Sequence, residues 1–175
     1  MRTLPEDTLA AIVRRSTEEV FATMLGLPLA CGEAGLEVSP SESVDGVVAL
    51  VGIAGTWAGS GRISCSAPFA CRLSSAMLGT EYTAVNDDVL DAIAEVTNMI
   101  IGNVKSALED ELGPMGLSIP TVIYGRNYCT RSSGGNPPLL VPFFSDADRM
   151  DVRLYLAPNS APSYGRADSV SHVVS

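Results

Sequence analysis

One uninterrupted helical pattern, from about Asp88 to Leu112, constrains this chain more than any other feature. Asn86 or Asp87 can cap its start, and Gly113-Pro114 stops it. At 100° per residue, Leu90, Ile93, Thr97, Ile101, Val104 and Leu108 fall on one side, which should pack on a sheet. Asp91, Glu95, Asn98, Gly102 and Lys105 fall on the other, with Met99 flanking that polar stripe as an exposed apolar contact point. Asn is a mildly poor helix former, and Gly102 costs about 1 kcal/mol against Ala while letting another surface come close. A carboxylate and an amide three residues apart on a rigid outer face can steer a water molecule. An ordinary solvated face has the same spacing, so periodicity alone leaves both readings open.

The other segments arrange themselves around this helix. Residues 6 to 25 repeat apolar side chains at Leu9, Ile12, Val13, Val20, Phe21 and Leu25, a second helix that Gly26 and Pro28 close. A short apolar segment (Leu27 to Cys31, then Leu36 and Val38) suits a first strand. Val47 to Ala54 suits a buried central strand, turned at Gly55-Thr56 into Trp57 to Ser66. Gly59 and Gly61 weaken that strand and suggest a bulge. A shorter helix runs from Pro68 to Met77 and closes at Gly79. After the long helix come an apolar stretch from Leu117 to Tyr124 and a loop from Gly125 to Pro138. A final hairpin follows, Leu139 to Ser145 and Met150 to Ala157, joined by Asp146-Ala147-Asp148. The pattern predicts an α+β fold: one domain over 1–157 with a mostly antiparallel sheet packed by long helices, and a flexible tail over 158–175. Residues 6–66 and 68–157 echo each other as helical matter, a strand and a hairpin.

Composition removes several chemistries. A net charge of -9 argues against nucleic acid or an anionic membrane surface as partner. The only His is His172 and the only Lys is Lys105, which reads as an ion pair with Glu109. Triads and His-rich metal sites are therefore poorly served. Cys31, Cys65, Cys71 and Cys129 show no CxxC and no metal-ligand spacing, which predicts no metal centre, no disulfide framework and a reducing compartment. No apolar run approaches the roughly 18 residues needed to span a membrane, and the N-terminus lacks a signal-peptide core. The expectation is a cytoplasmic protein.

The run Asp91-x-x-x-Glu95-x-x-Asn98-Met-Ile-Ile-Gly102-Asn103, followed by Ser118-Ile119-Pro120, resembles the signature of the CheC/CheX/FliY chemotaxis phosphatases. That signature is an acid or serine, a glutamate, an asparagine and a distant proline in fixed order. Members with two active faces repeat the motif in the first helix. Here Glu18 is followed three residues later by Phe21, and Glu19 by Ala22, so a single site is expected, as in the CheX branch.

The resemblance implies a CheC-like pseudo-duplicated α-β-β-β architecture and a homodimer. It also implies hydrolysis of the aspartyl-phosphate of a CheY-type response regulator. Asn98 would orient the attacking water and Glu95 would pair with the partner's lysine, with Asp91, Met99 and Gly102 at the partner-binding surface. No cofactor of the chain's own is implied; a Mg²⁺ ion is expected on the response regulator. Two other readings compete: a non-catalytic module of the same fold, as in the flagellar switch, and an unrelated enzyme using Ser132-Ser133-Gly134-Gly135 as a phosphate loop. Without a Lys or a following helix, that loop reads better as a connection.

Overall fold

The computed structural model describes residues 4–37, 42–130 and 137–159. Helix α3 spans Asp87–Leu112, and the Asn86 side chain caps it by accepting a hydrogen bond from the Val89 N–H at 3.0 Å. Its buried side is broader than the wheel predicts. Ala92, Val96 and Ile100 are buried along with Ile93, Thr97, Ile101, Val104 and Leu108, whereas Leu90 is only half-buried. The reason is that α3 packs on the sheet on one side and against two helices, α1 and α2, on others. The buried Thr97 hydroxyl donates to the Ile93 carbonyl at 2.7 Å, so its polarity is satisfied within the helix.

Helix α1 (Glu6–Val20) continues as a π-helical turn, Phe21–Leu25, and ends at Gly26, whose φ of 61° is the left-handed conformation that favours glycine. Helix α2 (Ala67–Leu78) starts one residue before the expected Pro68 because Ser66 caps it.

The strands are β1 (Ala30–Cys31), β2 (Gly35–Leu36), β3 (Glu42–Gly55), β4 (Trp57–Cys65), β5 (Met115–Leu117), β6 (Thr121–Thr130), β7 (Leu139–Ser145) and β8 (Asp148–Pro158). All pairings are antiparallel, in the order β1/β2-β7-β8-β4-β3-β5/β6. This order makes the internal echo architectural. Each half contributes a helix, an outer strand and a hairpin, and the two hairpins meet where β4 pairs with β8. The outer strand of each half lies on the other half's hairpin: β1 and β2 on β7, β5 and β6 on β3.

Inward side chains Val47, Ala49, Val51, Ile53, Ile63, Val141, Phe143, Met150, Val152 and Leu154 join the helices in one core. On the alternate face Arg153, 3% exposed, donates to both carboxylate oxygens of Glu37 and to the Ser64 hydroxyl. A charge can sit there because it is paired and hydrogen-bonded.

Four sequence expectations need correction. Gly59 and Gly61 make no bulge; both lie in continuous register with β3 and β8. A Cβ on Gly61 would strike the Ile101 side chain, and one on Gly59 would strike the Tyr155 carbonyl, so these positions are small because other atoms occupy the space. The expected first strand is two short pieces rather than one. The stretch expected to be a loop from Gly125 is strand as far as Thr130, because it pairs with the start of β3 beyond an irregularity at Val44/Gly46. Strand β8 reaches Pro158, and Asn159 is also tied down, its N–H donating to the Thr56 carbonyl at 3.1 Å. The tail proper (160–175) and the Ser132–Gly135 loop lie outside the described residues.

Strand β5 ends and β6 begins across Ser118-Ile119-Pro120. Leu117 pairs with Ile53 and Thr121 with Leu50, so three residues stand opposite two, Val51 and Gly52. This is a bulge with one extra residue. It changes the parity of the strand: inward Leu117 and Val122 are five apart and still face the same core.

Candidate catalytic and docking face on helix α3

Successive steps of four, three and four residues carry Asp91, Glu95, Asn98 and Gly102 along one face of α3. Glu95 and Asp91 are exposed, while Asn98 and Gly102 are half-buried. Among the described residues, neither the Glu95 carboxylate nor the Asn98 amide has a hydrogen bond or ion pair from its side chain. By contrast, other polar groups of α3 are engaged. Lys105 pairs with Glu109 at 2.9 Å, and Glu109 Oε1 accepts from the Met115 N–H at 3.0 Å. That backbone hydrogen bond, with Lys105 adding to it, holds the Glu109 carboxyl below its usual range and ties the end of α3 to β5.

Met99 is half-buried and packed against the core, so it offers a partner only part of its side chain. Gly102 leaves a gap, since a Cβ there would have Leu117 Cδ1 as its nearest neighbour, at 4.0 Å. The polar stripe of α3 thus passes beside Leu117 of β5. The Pro120 signal was visible in the sequence, but the outward position of Ile119 was not, because an Ile in a strand-like stretch reads as core.

The described thiols are poor nucleophiles. Burial is the leading cause that raises Cys31, Cys65 and Cys71, with Cys65 pushed up to about 12. Among the described residues no group of three or more His, Cys, Asp or Glu converges as a metal site. No described helix is long and apolar enough to cross a membrane. A cleft lined by Asp45, Ser66, Pro68, Tyr124 and Arg126 includes none of the α3 stripe. The α3 residues form an outward helix surface, a shape suited to a protein partner more than to a small molecule.

Comparison with known proteins identifies the family. The family model described as "Chemotaxis phosphatase CheX" matches residues 47–144. CheY-P phosphatase CheX of Thermotoga maritima is 32% identical over 134 residues, covering 76% of this chain and 86% of that protein. The crystal structure of a chemotaxis protein CheX from Desulfovibrio desulfuricans superposes with a TM-score of 0.78 at 28% identity, covering 86% of this chain and 99% of that one. The structure of a CheX-CheY-BeF3-Mg²⁺ complex from Borrelia burgdorferi gives 0.74 at 26% identity, covering 88% and 99%. The match spans both halves of the sheet, α2 and the whole of α3, and on it the chain belongs to the chemotaxis phosphatase CheX family.

Proposed function

We propose that this chain hydrolyses the aspartyl-phosphate of a CheY-type response regulator, using Asn98 to place the attacking water and Glu95 to hold the partner in register. The observation that carries this reading is the pair of unengaged side chains, Glu95 and Asn98, one turn apart on an outward face. An acyl phosphate is already reactive, so placing water in line with phosphorus is the main task left to the protein. A neutral carboxamide suits it, because it both donates to and accepts from water without itself attacking. The Mg²⁺ of the response regulator offsets charge on the phosphoryl oxygens. Glu95 reaches a lysine of the partner, Asp91 and Met99 lie at the edge of the contact, and Gly102 lets the partner approach the helix.

The reading extends to a cytoplasmic homodimer, with the phosphatase domain running through Asn159, just past the end of β8. Neither nucleic acid nor membrane insertion enters it. Phosphate release from a phosphorylated CheY-type receiver tests the core of the proposal, comparing wild type with Asn98→Ala and Glu95→Gln. Wild type should accelerate decay, Asn98→Ala should abolish most of that acceleration while still binding, and Glu95→Gln should weaken binding. No acceleration by wild type would leave a non-catalytic binding module of the same fold. Sedimentation at several concentrations checks the dimer.

A further inference from the structure

We propose that Lys105 sets the direction in which the response regulator lies along α3, by pairing with a carboxylate on the rim of the receiver's phosphorylation site. This pairing rests on the reading that the partner docks over Asn98. The observation that carries it is the placement of charge about that amide. Asp91 stands seven residues before Asn98 and Lys105 seven residues after it, on one continuous helix. Seven residues are close to two turns, with a rise of about 10 Å. At 100° per residue, Asp91, Gly102 and Lys105 all fall within about 40° of Asn98 around the axis. The outward line therefore reads carboxylate, amide, ammonium, and Gly102 leaves no side chain between the last two.

Lys105 is the only Lys of the chain and the only cation of α3, a helix otherwise charged by Asp and Glu alone. The acids near its C-terminal end do not cancel it on this line. Asp110 and Glu111 are turned about 120° or more away from Asn98. Glu109 shares the line, but one of its oxygens accepts from the Met115 N–H and the other meets the Lys105 ammonium at 2.9 Å. An ammonium has three donors, and this pair occupies one of them. The two side chains stay partly exposed, at 22% and 31%. A flexible four-carbon stem lets the Lys105 ammonium meet a carboxylate that faces the stripe. An i,i+4 pair of this kind adds little to stability, so its value to the fold does not account for the only Lys being here.

The receiver supplies the counterpart. Its Mg²⁺ is held through oxygen ligands that include carboxylates, so the surface around an aspartyl-phosphate is acidic beyond the lysine that Glu95 meets. Asp91 and Glu95 lie on one side of Asn98 and Lys105 on the other. A receiver turned end for end would set like charges against each other at both places. The contact therefore selects one orientation, and it acts in docking rather than at phosphorus.

The test uses the full chain and a CheY-type receiver, loaded with beryllofluoride and Mg²⁺ for equilibrium binding or with acetyl phosphate for turnover. Lys105→Met should raise Kd and KM about tenfold at low salt, with kcat within about twofold of wild type. That gap should shrink in about 0.5 M salt, which screens the contact. Glu109→Gln keeps an acceptor for the Met115 N–H while releasing the ammonium, so Kd should fall about two- to threefold. Arg14→Met, which removes a similar ion pair with Glu18 on α1, should change none of these. Zero-length carbodiimide coupling of the complex should join Lys105 to an Asp or Glu of the receiver, identified by mass spectrometry of the linked peptides. A wild-type Kd in Lys105→Met overturns the role of Lys105 and leaves the phosphatase reading intact. A gap that salt does not narrow also overturns it, as does a kcat loss at unchanged KM. Weaker binding by Glu109→Gln would mean that the pair works by holding β5 in place, and coupling at Glu95 without coupling at Lys105 would mean that no carboxylate faces the ammonium; either sinks the inference. A wild-type protein that neither binds nor hydrolyses the receiver removes the phosphatase reading, and this contact with it.

Discussion

Two helices occupy matching places in the two halves of the fold, and their sequences align where it matters. Glu19-Val20-Phe21-Ala22-Thr23-Met24-Leu25-Gly26 on α1 stands against Glu95-Val96-Thr97-Asn98-Met99-Ile100-Ile101-Gly102 on α3. Glu19 and Glu95 are both exposed, Val20 and Val96 both buried, Leu25 and Ile101 both buried. The packing frame is shared except at Met24, which is half exposed where Ile100 is buried. The outward amide is not shared, because Ala22 replaces Asn98, and Arg15 stands where α3 has Asp91. The ends differ as well: α1 stops at Gly26, whereas α3 continues through Gly102 to Leu112. One scaffold thus holds a face with an outward amide and a face without one, and the difference lies in a few outward side chains.

The largest expected effect concerns the amide itself. Asn98→Ala should lower kcat by about 100-fold, corresponding to about 2.7 kcal/mol of barrier. Adding Ala22→Asn to that variant should not restore the rate, because Arg15 and the π-helical turn spoil the α1 face. Phosphate release measures both, and recovery in the double variant would break the contrast between the two helices.

A second difference is what each helix rests on. Helix α1 packs on β7, whose inward residues Leu139, Val141 and Phe143 have full side chains. Beneath Ile101 on α3 lies Gly61. Gly61→Leu should therefore cost about 1–3 kcal/mol by overpacking, read as a lower denaturation midpoint in urea.

The aligned glycines should respond with opposite signs. Gly26 has a φ of 61°, so Gly26→Ala should destabilise by about 1 kcal/mol. Gly102 lies inside a helix with room for a Cβ, so Gly102→Ala should stabilise by about 0.5–1 kcal/mol. If the more stable Gly102→Ala protein also loses phosphatase activity, the glycine serves the partner rather than the fold.

The smallest effect separates the helix ends. The Gly26 N–H at the end of α1 donates to the Phe21 carbonyl, whereas the end of α3 is tied through the Glu109 carboxylate to the Met115 N–H. The folded Glu109 value lies below the ordinary 4.5, so its stabilisation is fully present above that pH and is lost as pH falls through the folded value. Glu109→Gln should flatten this acid dependence of Met115 amide exchange and leave Gly26 unaffected.

Much of this architecture could be read from residue order, because helices announce themselves through period and punctuation. Asn86 starts α3, and Gly26, Gly79 and Gly113 end the three helices as their chemistry demands. The edge of the sheet was less legible. Gly125, Arg126 and Asn127 have turn-like composition, yet they belong to β6, because strand preference there depends on the β3 neighbour rather than on the residues themselves. Likewise Gly59 and Gly61 suggested a bulge, whereas the described β5–β6 bulge is at Ile119. The Glu95/Asn98 spacing was visible from the start. Only its resemblance to a family distinguished it from a solvated face, since the physics of an exposed helix permits both.

The exchange of outer strands between halves also governs how the chain can be made. On a ribosome, the β3–β4 hairpin emerges with one edge waiting for β8, which is among the last described segments to be synthesised. The 93 residues from the end of β4 at Cys65 to the end of β8 at Pro158 take about 5–20 s at translation rates of about 5–20 residues per second. During that interval a Val- and Ile-rich ribbon has an open edge, the state in which nascent sheets mispair with neighbouring chains. Neither half can mature first, so production of this protein should depend on chaperone supply and translation speed more than its finished stability would suggest.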